Sequence, residues 1–128
     1  MIRIVTTDPQ KATSIPFDVI TPFNLIDRLK RFHALAIDLK MTGLEPIQNK
    51  IEALTIATED HDIYILTPDS ITTEILTSCF DHKMLVVHSG LSDISTLMAI
   101  GVPIFRVFDT CLCFQICQSN VDGSDVKY

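Results

Sequence analysis

Short apolar runs separated by polar turns predict a chain in which strands and helices alternate. The segment Ala34–Leu39 is almost continuously apolar, which is typical of a strand buried on both faces of a sheet. A short polar turn separates the apolar segments Ile51–Thr58 and Ile63–Leu66, and this arrangement predicts an antiparallel hairpin. Further strands are predicted at Ile2–Val5, Lys83–His88 and Ile104–Phe108.

Helices are predicted where apolar positions follow a helical repeat. Thr21 and Pro22 are typical of an N-cap and a first helical position, and apolar residues continue that helix to about Phe32. Three more helices are expected, over Thr67–Cys79, Ser92–Ile100 and Thr110–Cys117. The order of elements predicts an α/β fold. Its mixed sheet would have about five strands, a three-stranded antiparallel meander plus two parallel strands, flanked by helices.

Length and composition bound the class of protein. The 128 residues are 47% apolar and 20% charged, which indicates a folded chain and excludes a disordered one. We expect one domain over residues 1–118, followed by a polar tail over residues 119–128. We also expect no membrane segment and no secretory signal. The net charge of −6 argues against binding nucleic acid by bulk charge, although bound metal ions could supply positive charge locally.

Three of the four cysteines lie in one apolar stretch. Cys111, Cys113 and Cys117 are close in sequence, whereas Cys79 is distant and no histidine follows at the spacing of a zinc finger. Buried, reduced thiols that act as small hydrophobic side chains are therefore favoured over a zinc site. This interpretation predicts a reducing, cytoplasmic setting.

Three acidic residues come at or just after the ends of predicted strands. They are Asp38, Asp93 and Asp109. If the strands are parallel neighbours, their carboxyl ends meet at one edge of the sheet, where α/β proteins form clefts. Each carboxylate could be a helix cap or a solvated strand end, or it could be a metal-binding or catalytic group.

Three segments carry a resemblance to a known family. Ala36–Pro46 is similar to the first motif of the DEDD 3′–5′ exonucleases, Asp-x-Glu-x-Thr-Gly-Leu. Leu85–Leu97 resembles the second motif, which begins His-Asn and reaches an Asp. Val107–Leu112 resembles the Phe-Asp-Thr segment of the branch that contains RNase D and the proofreading domain of DNA polymerase I. The resemblance implies an RNase H-like fold.

The resemblance also implies a reaction and a set of site residues. Family members hydrolyse the terminal phosphodiester of a DNA or RNA 3′ end with two divalent ions, Mg²⁺ or Mn²⁺. Asp38 would bridge both ions, Asp93 would be a second ligand, and Asp109 would only cap the next helix. The positions that would contact nucleic acid are Thr42, Gly43, Leu44, His88 and Ser89. A histidine that is simply hydrogen-bonded at a strand end is an equal alternative for His88.

The sequence departs from the family pattern at several positions. Lys40 occupies the place of the motif-one Glu, where its ammonium either pairs with Asp38 or Asp93 or extends into solvent. Ser89 and Ser92 replace the Asn and Phe of motif two. No third motif is recognised, since only Asp122 and Asp125 follow Cys117 as acidic residues, and Tyr128 stands in the wrong order.

These departures predict a 3′–5′ exonuclease-like domain whose catalysis is weak or absent. One alternative is a catalytically silent module that binds nucleic acid or protein. Another is a structural or interaction module that shares only the fold. Apolar surface left uncovered by a missing helical layer would favour self-association, and thus a homo-oligomer.

Overall fold

The computed structural model describes residues 1–12, 14–42 and 50–122, with the backbone alone described at residues 11, 12 and 119–122. Seven strands form one mixed sheet: β1 (Ile2–Val5), β2 (Asp18–Ile20), β3 (Ala34–Met41), β4 (Ile51–Ala57), β5 (Ile63–Leu66), β6 (Met84–Val87) and β7 (Arg106–Asp109). The helices are α1 (Pro22–Leu29), α2 (Thr73–Cys79), α3 (Leu91–Ala99) and α4 (Thr110–Asp122). The order of strands across the sheet is β2-β1-β5-β4-β3-β6-β7.

The predicted arrangement of the sheet is confirmed. Strands β3, β4 and β5 form the antiparallel meander, and β6 and β7 follow parallel to β3. The sheet has two strands more than the five predicted for it. These are β1, which was predicted as a strand and pairs parallel with β5, and β2, which pairs parallel with β1. Every strand except β4 therefore points the same way, and their carboxyl ends form one edge of the sheet, here called the carboxyl edge.

Several predicted helix boundaries differ from the structure, where α1 ends at Leu29 rather than near Phe32 and two larger differences occur. The helix expected over Thr67–Cys79 is divided into a 3₁₀ turn at Pro68–Ser70 and the separate helix α2. The 3₁₀ turn is attached to the end of β1, since the buried Ser70 hydroxyl donates to the Val5 carbonyl at 3.1 Å. The helix α4 begins at the predicted residue but continues to Asp122, into the segment predicted as a tail. Residues 123–128, including Asp125 and Tyr128, lie outside the described part of the chain.

The hydrophobic core lies on one face of the sheet. Alternate residues of β3 (Leu35, Ile37 and Leu39) join leucines from α1, α2 and α3 in a single buried cluster. The intervening residues Ala36, Asp38 and Lys40 are exposed, so the prediction of a strand buried on both faces was wrong. The reason is the two-residue period of a strand, which directs every second side chain away from the three core helices.

Helix α4 partly buries polar side chains and exposes large apolar ones. Among its side chains up to residue 118, the buried or half-buried ones are Cys111, Gln115 and Gln118, which recur at helical spacing. Its large apolar side chains are 50%, 48% and 60% exposed, at Leu112, Phe114 and Ile116 respectively. Cys113 and Cys117 are also exposed, so the prediction of buried cysteines holds only for Cys79 and Cys111. Among the described residues, no helix is both long and apolar enough to span a membrane.

Candidate functional site

The carboxyl end of β3 brings two acidic residues together. Strand β6 pairs with β3 only as far as Ala36, so the backbone of β3 beyond that point has no strand partner on this side. Asp93, in the first turn of α3, fills that place, and its Oδ2 accepts the Leu39 N–H at 3.3 Å. Asp38, the residue before Leu39, projects from β3 and is exposed.

The electrostatics of Asp93 include an effect of the neighbouring Asp38 carboxylate. Partial burial is the main cause of a raised pKa for Asp93, and the charge of Asp38 raises it further. The hydrogen bond from Leu39 acts in the opposite direction and lowers the pKa. A bound cation or a shared proton would relieve this repulsion, so the pair has the character of a cation-binding or proton-holding site.

Lys40 lies on the same side of β3 as Asp38, because residues two apart in a strand face the same way. It stands opposite Ala53 of β4, and its side chain is exposed. None of the ion pairs between described residues includes Lys40. Of the two alternatives for this lysine, the structure therefore favours the one in which its ammonium extends into solvent.

Thr42, directly after β3, is hydrogen-bonded to Lys50. Its N–H donates to the Lys50 carbonyl, and its hydroxyl accepts the Lys50 N–H, both at 3.0 Å. The side chain is exposed near the carboxyl edge. Gly43 and Leu44 lie outside the described residues, so their contact with a terminal nucleotide stays a prediction.

The turn after β6 carries His88 and Ser89, the first two residues of the second motif. His88 is exposed, and its Nδ1 lies 2.9 Å from the Thr110 hydroxyl, as expected for a hydrogen-bonded histidine at a strand end. Ser89 is also exposed, and its hydroxyl donates to the Cys111 sulfur at 3.0 Å. Both residues lie just before the helix that carries Asp93, but their side chains contact the start of α4.

Asp109 caps α4 as predicted, since its Oδ1 accepts the N–H groups of Cys111 at 2.9 Å and Leu112 at 3.3 Å. The sequence did not reveal its second set of contacts. The same carboxylate also accepts the Ser89 and Gly90 N–H groups, each at 3.1 Å. The only available signal was the Ser-Gly pair in a predicted turn, which gives no indication of its partner.

The fit of the site to metal ions can be judged from its donors. Asp38 and Asp93 offer carboxylate oxygens, the ligands that Mg²⁺ prefers, and water completes the shell of such ions in many proteins. Within residues 1–12, 14–42 and 50–122, no group of three or more His, Cys, Asp or Glu is placed to hold a metal ion. The two residues therefore offer carboxylate oxygens to a cation, and the described part of the chain does not supply the four carboxylates of a two-ion centre.

Comparison with known proteins finds likeness in structure alone. No family model and no curated protein matches the chain. It is similar to Brucella melitensis NrnC, with a TM-score of 0.70 and 19% identity over 95% of this chain and 55% of that one. A structure of NrnC bound to pGG gives a TM-score of 0.65 and 17% identity, over 100% of this chain and 64% of that one. Escherichia coli RNase D, an exoribonuclease, gives 0.69 and 14%, over 99% and 35%.

The chain thus spans only 55%, 64% and 35% of the length of these three solved chains, respectively. At identities below 20% the likeness establishes a shared fold. It leaves the chemistry of this chain to be argued from its own residues.

Proposed function

We propose that this chain, which has the fold of the DEDD-type 3′–5′ exonuclease domains, is a nucleic-acid-processing domain with weak or absent hydrolysis. One observation supports both parts of the proposal. Asp38 and Asp93 meet at the carboxyl edge, as a metal-dependent nuclease requires, but Lys40 stands where the motif has a third carboxylate. The predicted domain over residues 1–118 would then extend at least to the end of α4 at Asp122.

The proposed substrate is the 3′ end of single-stranded DNA or RNA. Support comes from NrnC, which has been solved with pGG bound. In this chain, Thr42 follows the carboxyl end of β3, His88 and Ser89 follow that of β6, and all three are exposed. A net charge of −6 makes a broad electrostatic footprint unfavourable, so binding would depend on these local groups and on the Lys40 ammonium.

Mg²⁺ or Mn²⁺ is the proposed cofactor, with Asp38 and Asp93 as its protein ligands. NrnC has also been solved with bound Mg²⁺. A bound ion of this kind can activate water and stabilise the leaving oxygen of a phosphodiester. The Lys40 ammonium, two residues from Asp38 on the same face of β3, would repel that ion and weaken its binding.

A second candidate function is a catalytically silent module that binds nucleic acid or protein and associates with itself. The observation in its favour is the exposed pair Leu112 and Ile116, one turn apart on α4, which lines a surface groove with the exposed Val107 and Phe108 of β7. Exposed apolar surface of this kind is typical of interaction sites. For either function we propose a reducing, cytoplasmic setting, because all four cysteines are free.

Hydrolysis of a 5′-labelled single-stranded oligonucleotide in Mn²⁺ tests the main proposal. We expect shortening from the 3′ end to stay near background for the unaltered chain. Clear 3′-end shortening that Asp38→Ala abolishes would show that the site is fully competent and the proposal of weak hydrolysis wrong. Shortening that survives Asp38→Ala would indicate a contaminating nuclease and would call for repurified protein.

Mn²⁺ binding to Lys40 variants tests whether the two aspartates form a metal site. We expect Lys40→Glu to tighten Mn²⁺ binding roughly tenfold or more, since it replaces a repelling charge with a ligand. Lys40→Gln is the matched control, which removes the charge without adding a carboxylate, and it should give a smaller gain. If calorimetric titration shows no binding in any of the three proteins, the function reduces to the silent module.

A further inference from the structure

The turn that joins β6 to α3 is held in an unusual conformation. Ser89 has φ of 51°, in the left-handed region that residues other than glycine rarely adopt. The next residue, Gly90, is packed so tightly that a Cβ added there would lie 2.4 Å from the Val87 Cβ. A turn of this kind persists only when surrounding contacts hold it in place.

Asp109 supplies those contacts from the end of a different strand. Its Oδ1 accepts the Ser89 N–H and its Oδ2 accepts the Gly90 N–H, each at 3.1 Å. Its Oδ1 also accepts two N–H groups from the first turn of α4. The Gly90 bond first, then those from Ser89, Leu112 and Cys111, hold the pKa of Asp109 below its usual range. The carboxylate thus binds two segments that are separated in sequence.

Side-chain contacts reinforce the same junction. The Thr110 hydroxyl lies 2.9 Å from the His88 Nδ1 and 3.2 Å from the Val87 carbonyl oxygen. The Ser89 hydroxyl donates to the Cys111 sulfur. These contacts and those of Asp109 therefore tie the β6–α3 turn to the start of α4 at several points.

The turn is also the immediate start of the helix that carries Asp93. Helix α3 begins at Leu91, directly after Gly90, and Asp93 lies in its first turn. Asp93 reaches β3 through one hydrogen bond, from the Leu39 N–H at 3.3 Å. Any displacement of Ser89 and Gly90 therefore passes to Asp93 within a single helical turn of about 5.4 Å.

We propose that Asp109 is a positioning residue for the candidate site: its carboxylate fixes the start of α3 and thereby places Asp93 against β3 beside Asp38. The proposal rests on the proposed function only in treating Asp38 and Asp93 as the site. The placement of Asp93 is a property of the fold, and it can be measured without metal, nucleic acid or activity.

Amide hydrogen exchange of the Leu39 N–H tests the proposal, because that N–H is bonded to Asp93. We expect Asp109→Ala to lower protection at Leu39, Ser89 and Gly90 roughly tenfold more than at the core amides Leu54 and Ile56. Asp109→Asn keeps one acceptor oxygen and should restore part of the protection. This partial rescue also provides the test if the alanine variant does not fold.

Asp69→Ala is the matched control. Asp69 is another carboxylate at the carboxyl edge, and it likewise accepts several hydrogen bonds, but from the Thr6–Thr7 and Thr67 region. Its loss should lower stability without a selective effect at Leu39. Equal loss of protection at Leu39 and at the core amides in Asp109→Ala, or an equal selective loss in Asp69→Ala, would overturn the proposal. A chain that binds neither Mn²⁺ nor a single-stranded oligonucleotide would defeat the proposed function and leave this result unaffected.

Discussion

Asp69 and Asp93 both lie at the carboxyl edge of the sheet, yet their surroundings are opposite. Partial burial alone would raise the pKa of Asp69. Hydrogen bonds from Thr67, Thr7 and Thr6 nevertheless hold this pKa well below its usual range. These include the Thr6 hydroxyl at 2.7 Å and the Thr7 N–H at 2.8 Å. Asp93 has one donor at 3.3 Å and a neighbouring carboxylate, and burial together with that neighbour raises its pKa.

The difference is that the charge of Asp69 stabilises the folded state, whereas the charge of Asp93 destabilises it. The charged form of Asp69 is favoured in the folded protein, because donors surround it. The charged form of Asp93 is disfavoured, which is a frequent property of groups at functional sites. The β1–β5 end of the carboxyl edge is therefore built for stability, and the β3–β6 end is built to hold Asp38 and Asp93 together.

The largest effect should come from the tight turn at the β3–β6 end. Gly90→Ala would place a Cβ 2.4 Å from the Val87 side chain, and we expect a loss of about 1–3 kcal/mol in the free energy of unfolding. Urea denaturation measures this loss. Gly101→Ala is the control, since its nearest neighbour is 3.6 Å away and only its φ of +91° opposes a side chain. It should lose about 1 kcal/mol, and a larger loss than Gly90→Ala would contradict the packing argument.

At the β1–β5 end, Asp69→Ala should lower the free energy of unfolding at pH 7 by about 1–2 kcal/mol, because several donors lose their acceptor and solvent replaces only part of it. The folded pKa lies below the unfolded value of 3.8, so this stabilisation is complete above the unfolded pKa. It is lost as the pH falls toward the folded pKa. Denaturation at pH 7 and near pH 2 should therefore show the gap between the two proteins closing in acid. A constant gap would mean that the charge of Asp69 contributes nothing.

The smallest effect should have the opposite sign. Asp93→Asn should raise the free energy of unfolding at pH 7 by about 0.5 kcal/mol, because it removes a partly buried charge beside Asp38. The folded pKa of Asp93 is raised, so its charge destabilises the fold increasingly as the pH rises above 3.8. The gain should vanish near pH 3. A loss of stability at pH 7 would show that the Leu39 hydrogen bond outweighs the cost of the charge.

Much of the fold could be predicted because it depends on local patterns. The meander follows from two apolar runs with a short polar turn, and the parallel placement of β6 follows from the helical crossover before it. Strand β2 was missed, since three residues carry too short a pattern to recognise. The division of the helix over Thr67–Cys79 was also missed, because its cause is the Ser70 contact with β1, more than sixty positions away in the chain.

The residues of the candidate site could be predicted better than the hydrogen bonds that position them. Asp38 and Asp93 could be placed together, because strand ends in a parallel arrangement share an edge. The bond from Leu39 to Asp93 depends on where β6 stops pairing, which the apolar pattern did not reveal. The link from Asp109 to Ser89 depends on a left-handed backbone at a serine, a conformation with no residue signature of its own.

The position of β1 has a consequence for how the chain folds. Although it precedes the other six strands in the sequence, β1 pairs with β2 and, on its other side, with β5. Its pairing with β5 joins Ile2 to Ile63 and so closes a long loop of chain. The β3–β4–β5 meander, whose contacts are local, can form before that loop closes. The N-terminal strand should therefore be among the last to join the sheet, and its edge stays open to other chains until then.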